Sequence, residues 1–211
     1  MSKRLDVRMT HKLFIGGRFP RSESGRTFRW EAPGSSTAAN ICRASPKDFR
    51  DAVTEARSAF PNWAGRTPYN RAQILYRCAE MLEGRSEQFR DELRLQGASA
   101  ASARKEVALA TDLLIHYAGW ADKYCQIFSR VNPVAEPYFN FTVPEPTGVV
   151  AVVAPSESGL LGLLAAITPV ITGGNACVAL AASGHPLCAV SLLSLIHISE
   201  PTRLGMISYA V

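Results

Sequence analysis

The chain has 211 residues, of which 47% are hydrophobic and 19% charged, and its formal net charge is +5. This is enough apolar material for one well-formed core, or for one larger and one smaller unit, and it excludes general disorder. The basic residues alternate with acids, as in Arg50-Asp51 and Arg90-Asp91-Glu92, and no arginine cluster is interleaved with aromatics, which argues against a nucleic-acid partner.

Residues 12–45 read as short strands and turns. Gly16-Gly17 in KLFIGGRF predicts a tight hairpin turn between apolar flanks, and RTFRWEAPGSS is a second extended segment ending in a Pro-Gly turn. Three helices are then predicted. The first starts at Ser45-Pro46, with Ser45 as N-cap and Asp48 near N3, and its expected buried face is Phe49, Ala52, Val53, Ala56 and Phe60. The second starts at Thr67-Pro68 and carries Ile74, Leu75, Cys78, Leu82, Phe89 and Leu93 on one side. The third runs from about Ala101 to Cys125, with Val107, Ala110, Leu114, Tyr117, Ala121 and Tyr124 as its stripe.

Residues 126–147 hold four prolines around YFNFTV, a pattern for an extended arm with one edge strand. A βαβ unit follows. Gly148–Ala154 is a β-branched run, expected to be a strand buried on both faces. Pro155 to Gly159 is the crossing loop, Leu160 to Ile171 a helix, and Ala176 to Leu180 a second, parallel strand. The turn after the first strand lies at its carboxyl end, where open α/β sheets take their ligands. No GxGxxG is present, so the usual Rossmann phosphate grip is not encoded.

After Arg130 the only basic residue is Arg203, so solvated helices precede buried strand and helix segments. Cys42, Cys78, Cys125, Cys177 and Cys188 form no CxxC, and the four histidines are scattered. Neither a disulfide framework nor a metal site is indicated, which fits a reducing, cytoplasmic setting. Cys177 and Cys78 read as buried small hydrophobes, and Cys188 with His185 lacks an orienting group for catalysis. The N-terminus shows no secretory pattern. Pro155, Ser156, Glu157 and Ser158 interrupt the most apolar stretch, Gly148 to Leu164, which argues against a membrane span.

KLFIGGRF...SESGRTF, AVTEARSAFPNWAGRTPYNRAQILYRCAEML, HYAGWADK, YFNFTVPEPTGVVAVVAP and PVITGGNACV resemble, in order and spacing, successive landmarks of the aldehyde dehydrogenase superfamily. The resemblance covers roughly residues 12–193. It implies an α/β fold: an incomplete Rossmann-like cofactor domain with an N-terminal β-hairpin, three helices and part of a β-arm. Residues 12–125 would be the N-terminal part of the cofactor domain, 126–147 a partial oligomerisation arm and 148–193 the first βαβ of the cofactor sheet. It also implies attack by a cysteine thiolate on an aldehyde, hydride transfer to NAD or NADP, and thioester hydrolysis. Homo-oligomers through the arm are implied, with no membrane partner. The positions it assigns to cofactor contact are Ala154, Pro155, Ser156, Leu180 and Ser183.

Two departures stand inside the matched part. Pro155-Ser156-Glu157-Ser158-Gly159 replaces the family's Pro-Trp-Asn-Phe-Pro, so Glu157 stands where an asparagine helps stabilise the oxyanion. A carboxylate offers no donor to an anion. Leu180-Ala181-Ala182-Ser183 replaces a lysine-proline-serine-glutamate run that contacts the adenosine ribose, so cofactor binding is expected to be weak. Glu157 also reads as a solvated loop residue or a helix-start acid. Residues 194–203, SLIHISEPTR, resemble adapter read-through, and 194–211 are expected to be a non-native tail in which the family's helix does not continue. The resulting expectation is an N-terminal fragment of an NAD(P)-dependent aldehyde dehydrogenase, without catalytic residues of its own and inactive alone. The alternative is a non-catalytic scaffold or assembly module of the same type.

Overall fold

The computed structural model describes residues 9–34 and 36–199. Strands β1 (Thr10–His11), β2 (Thr27–Glu31) and β3 (Ala38–Cys42) form a small sheet in the order β1-β3-β2, with β1 parallel and β2 antiparallel to β3. The turn predicted at Gly16-Gly17 is present. Ile15 and Arg18 exchange both backbone hydrogen bonds, at 3.0 and 3.1 Å, across glycines with φ of 58° and 75°. Positive φ at both central residues is the requirement of a tight hairpin turn, which glycine meets without strain.

Helix α1 (Pro46–Ala64) starts as its sequence dictates. Ser45 Oγ accepts from the Asp48 amide at 3.2 Å, and Asp48 Oδ2 accepts from the Ser45 amide at 2.8 Å, a reciprocal cap. Thr67 caps α2 (Pro68–Gly84) through the Asn70 amide. The second predicted helix divides after Gly84, where Arg85 leaves the helical backbone at φ −112° and ψ 18° while its amide bonds the carbonyls of Met81 and Leu82, and α3 (Ser86–Leu95) follows. Phe89 and Leu93 still reach the core from it. The third divides as well, into α4 (Ala100–Trp120) and α5 (Lys123–Phe128). The proline-flanked segment holds two short strands, β4 (Arg130–Asn132) and β5 (Asn140–Thr142), paired antiparallel.

Strands β6 (Val149–Val153) and β7 (Ala176–Leu180) are parallel, joined through α6 (Leu161–Thr172), and α7 (Pro186–Ser199) follows. One face of this pair meets α1, where Ala52 and Ala56 pack on Ala176 and Val178. The other face meets α6 and the main core, which runs through Leu75, Leu82, Phe89, Val107, Leu114, Leu164, Ile167 and Leu192. Trp63 on α1 is buried and donates from Nε1 to the Ile171 carbonyl at 3.0 Å, tying α1 to the end of α6.

Four expectations are corrected. The described residues carry seven helices and three sheets, more than the three helices, the βαβ helix and the single arm strand expected; the extra breaks fall within long apolar stripes. Strand β6 is not buried on both faces, since Val153 is 74% exposed; α1 covers the β7 side and leaves the carboxyl end of β6 open. Phe49, assigned to the buried face of α1, is 51% exposed, because it stands on the first turn of the helix, beside that opening. Finally, the backbone of α7 continues to Ser199, so the helix does not stop at residue 194. Residues 200–211 of the predicted tail lie outside the described residues.

Candidate functional site

The strand register sets Val153 opposite Leu180. The Ala154 amide donates to the Leu180 carbonyl at 2.8 Å, so the two predicted contact positions Ala154 and Leu180 are adjacent at the carboxyl ends of the parallel pair. Beside them is a hollow of about 440 Å³, walled by Phe49 with Ala44, Ser45 and Pro46 on one side, and by Val152, Val153, Ala179 and Leu180 on the other. Leu180 lines it. Pro155 and Ser156 follow Ala154 into an exposed turn, and Ser183 is exposed in the loop after β7. The sequence reading missed Phe49 and the Ser45-Pro46 helix start as part of this wall. The apolar spacing of α1 concealed Phe49, since position alone made it a core residue.

The turn from β6 to α6 is held from outside the βαβ unit. Leu160, at the N-cap of α6, offers no side-chain cap. Instead Glu106 of α4 reaches across, and its Oε1 accepts from Ser158 Oγ at 2.7 Å, from the Leu160 amide at 2.9 Å and from the Leu161 amide at 3.1 Å. Ser158 Oγ in turn accepts from the Gly162 amide at 2.8 Å. No sequence signal singled out Glu106; it lies on the polar side of a long helical stripe, 52 positions from Ser158. Glu157 points into solvent, and the Ser156 hydroxyl donates to it at 2.9 Å. That hydrogen bond holds its carboxyl below the ordinary value, so Glu157 is ionised at neutral pH.

The loop after β7 is fixed by Trp30, whose Nε1 donates to the Gly184 carbonyl at 3.1 Å, and by Gln96, which accepts from the Leu187 amide and donates to Cys188 Sγ at 3.2 Å. Cys188 is fully buried, and burial, with the charge of Glu92 nearby, pushes its thiol well above the ordinary range. Burial pushes Cys177 up to about 12. Neither is a thiolate nucleophile at neutral pH. Among the described residues no group of three or more His, Cys, Asp or Glu could hold a metal ion, and no helix is long and apolar enough to cross a membrane.

A parallel strand-helix-strand unit with an apolar hollow at its strand ends, a helix layer on each face and a projecting β-hairpin define an α/β protein of the kind that takes ligands at the carboxyl ends of its strands. Residues 20–201 match the aldehyde dehydrogenase family, and the chain belongs to that family. It is 32% identical over 206 residues to the cytosolic 1 aldehyde dehydrogenase of Elephantulus edwardii, covering 90% of this chain and 39% of that one. It is 31% identical over 202 residues to the cytosolic 10-formyltetrahydrofolate dehydrogenase of Xenopus laevis, covering 90% of this chain and 22% of the relative. The NAD+ complex of a Bacillus cereus aldehyde dehydrogenase superposes with a TM-score of 0.89 at 27% identity, over 95% of this chain and 41% of that one. The HpcC protein of Thermus thermophilus gives a TM-score of 0.89 at 25% identity, over 95% of this chain and 39% of that one. The chain thus spans about two-fifths or less of the length of these relatives.

These matches correct the remaining expectations. The family match runs on to residue 201, through the segment taken for adapter read-through. It extends across nearly the whole chain rather than stopping near 193, and so does the structural likeness. The reading of an inactive N-terminal fragment with a non-native tail is therefore set aside, and what is shown is membership of the aldehyde dehydrogenase family with its Rossmann-like fold.

Proposed function

We propose that this chain acts in the NAD(P)-dependent oxidation of a small aldehyde to a carboxylic acid, and that Ala154, Pro155, Ser156, Leu180 and Ser183 form part of the wall receiving the cofactor. The observation that supports this best is the hollow of about 440 Å³ at the carboxyl ends of β6 and β7. Its Phe49, Val153 and Leu180 lining suits a flat aromatic ring, which gains by leaving water against apolar surface. The bound nicotinamide would supply the hydride acceptor. Leu180 would hold the ring side by contact alone, since its side chain has no polar atom for a ribose hydroxyl; the exposed Ser183 hydroxyl is the nearer polar group in sequence.

In this reading residues 12–125 and the βαβ unit from 148 onward form the cofactor side, and residues 126–147 form the arm. The arm exposes Val131, Tyr138, Phe139 and Phe141, each 60% or more open to solvent, and the rings of Phe139 and Phe141 meet in a tilted contact at 5.6 Å between centroids. A short hairpin with such a face gains stability by pairing with a second copy of the chain. The five free cysteines suit a cytoplasmic setting.

Calorimetric titration of the full chain with NAD and with NADP tests the cofactor reading. Saturable binding is expected, weakened about tenfold by Phe49→Ala, the size of losing one ring contact. Saturable binding that Phe49→Ala and Leu180→Ala leave untouched would remove the hollow from the reading, and no binding of either nucleotide would remove the reading itself.

A further inference from the structure

The amino end of α6 has three successive backbone amides, at Leu160, Leu161 and Gly162, and every one already has a partner. Glu106 Oε1 takes the first two, and Ser158 Oγ, itself bonded to Glu106, takes the third. A helix start of this kind, at the carboxyl end of a parallel strand, is where free amides and the positive end of the helix dipole attract anions. Here an acceptor from another helix already fills that place. Ser158 alone would serve as a local cap. A carboxylate brought in from α4, more than 50 positions away, couples the turn to the packed helix layer as well.

We propose that Glu106 is a positioning residue for cofactor binding: an internal hydrogen-bond acceptor at the amino end of α6 that fixes the turn from Ala154 to Leu160 and keeps cofactor phosphate off those amides. The phosphates must then lie away from the α6 start. This rests on the cofactor reading above. Glycine supports the same close approach, because a Cβ on Gly162 would lie 2.5 Å from Pro155 Cγ and 3.1 Å from Ser158 Cβ, so the turn and the first turn of α6 are already packed together.

The test uses the full chain as wild type, Glu106→Ala, Glu106→Gln and Glu106→Asp, with amide exchange and amide shifts at residues 158–162, inorganic pyrophosphate as the anion probe, and NAD(P) titration. In wild type, pyrophosphate leaves the Leu160 and Leu161 amides unshifted. In Glu106→Ala these amides lose about tenfold in exchange protection, the size of a lost helix cap, and shift on adding pyrophosphate. NAD(P) affinity falls about tenfold in the same variant, whereas Glu106→Gln, whose amide oxygen can accept the same three bonds, stays within about threefold of wild type. If Glu106→Ala does not fold, Glu106→Asp keeps the charge but shortens the reach, and it should show the same loss of protection. Wild-type amides that shift with pyrophosphate as much as those of the variants would overturn the proposal, as would NAD(P) affinity indifferent to Glu106→Ala and Glu106→Asp. A wild type that binds no NAD(P) would refute the cofactor role, while the exchange and pyrophosphate results would still decide whether Glu106 occupies the anion place.

Discussion

Gly162→Ala sets two well-known effects against each other at the site. Gly162 is the second residue of α6, and replacing a helical glycine by alanine ordinarily stabilises by about 1 kcal/mol, less near a helix end. The added Cβ would, however, lie 2.5 Å from Pro155 Cγ. The Pro155 ring is closed onto its own backbone, so it cannot rotate aside as a long side chain would, and relief requires the turn to move. Overpacking of this kind costs about 1–3 kcal/mol. The difference is a net loss of about 1 kcal/mol, which for a chain of this size lowers the melting temperature by roughly 2–4 °C. Moving the turn also draws Ser158 Oγ away from Glu106, so NAD(P) affinity falls together with stability. Thermal unfolding followed by circular dichroism, alongside calorimetric titration, measures both. A variant that melts higher than wild type by the full propensity gain, with unchanged nucleotide affinity, would refute the reasoning.

Three further outcomes are expected. Asp48→Ala removes the acceptor shared by Ser22 Oγ at 2.6 Å, the Ser45 amide at 2.8 Å and the Glu23 amide at 3.2 Å, and should cost about 2–4 kcal/mol in urea unfolding. Burial alone would raise the Asp48 carboxyl, but these bonds together hold it below its ordinary value; its contribution is therefore present above the unfolded value near pH ~3.9 and is lost as pH falls through the folded one, so wild type and variant converge in acid. Glu92 behaves oppositely: burial raises its carboxyl against the opposing bonds from Ser191 and Gln88, so its stabilisation is complete below about pH 4 and is lost as pH rises through the raised value. Glu92→Gln should then flatten the stability profile and be the more stable protein at neutral pH, and a wild type as insensitive to pH over that range would contradict this. Replacing Phe139 and Phe141 together by serine should lower the assembly state seen in sedimentation velocity without changing the melting of the α/β core, and an unaltered sedimentation profile would count against the arm as the contact.

The parts of the fold legible in the sequence are those whose signals are local. Ser45-Pro46 and Thr67-Pro68 announce helix starts because the cap and the missing proline amide act within one turn, and Gly16-Gly17 announces its turn because two positive φ values in succession admit little else. The breaks at Gly84-Arg85 and Ala121-Asp122 were not legible. On both sides of each break the predicted apolar stripe keeps its helical spacing, and the breaks are marked only by the non-helical backbone of Arg85, at φ −112° and ψ 18°, and by the turn at Ala121-Asp122. The hairpin β4–β5 was read as one strand for a related reason: Arg130–Asn132 is too short and too polar to stand out until its partner is placed.

The site was half legible, and the division follows from where its residues come. Leu180 ends β7 and Ala154 follows the last residue of β6, strands whose β-branched and apolar runs the sequence displays, and their adjacency follows from parallel register. Phe49 was misplaced because periodicity tells which residues share a helix face, not how far the opposing sheet extends beneath it; β6 and β7 end before the first turn of α1 is covered, and that shortfall makes the hollow. Glu106 was invisible for a stronger reason. It follows the exposed Arg104 and Lys105 in sequence, where a charge normally signals only solvation, yet it is half-buried and turned toward α6. What gives it a role is the lack of a side-chain cap at Leu160, a need that arises more than fifty positions downstream. A helix start whose N-cap residue has no acceptor of its own is therefore the sequence feature to search for, and the residue that answers it must be found in space.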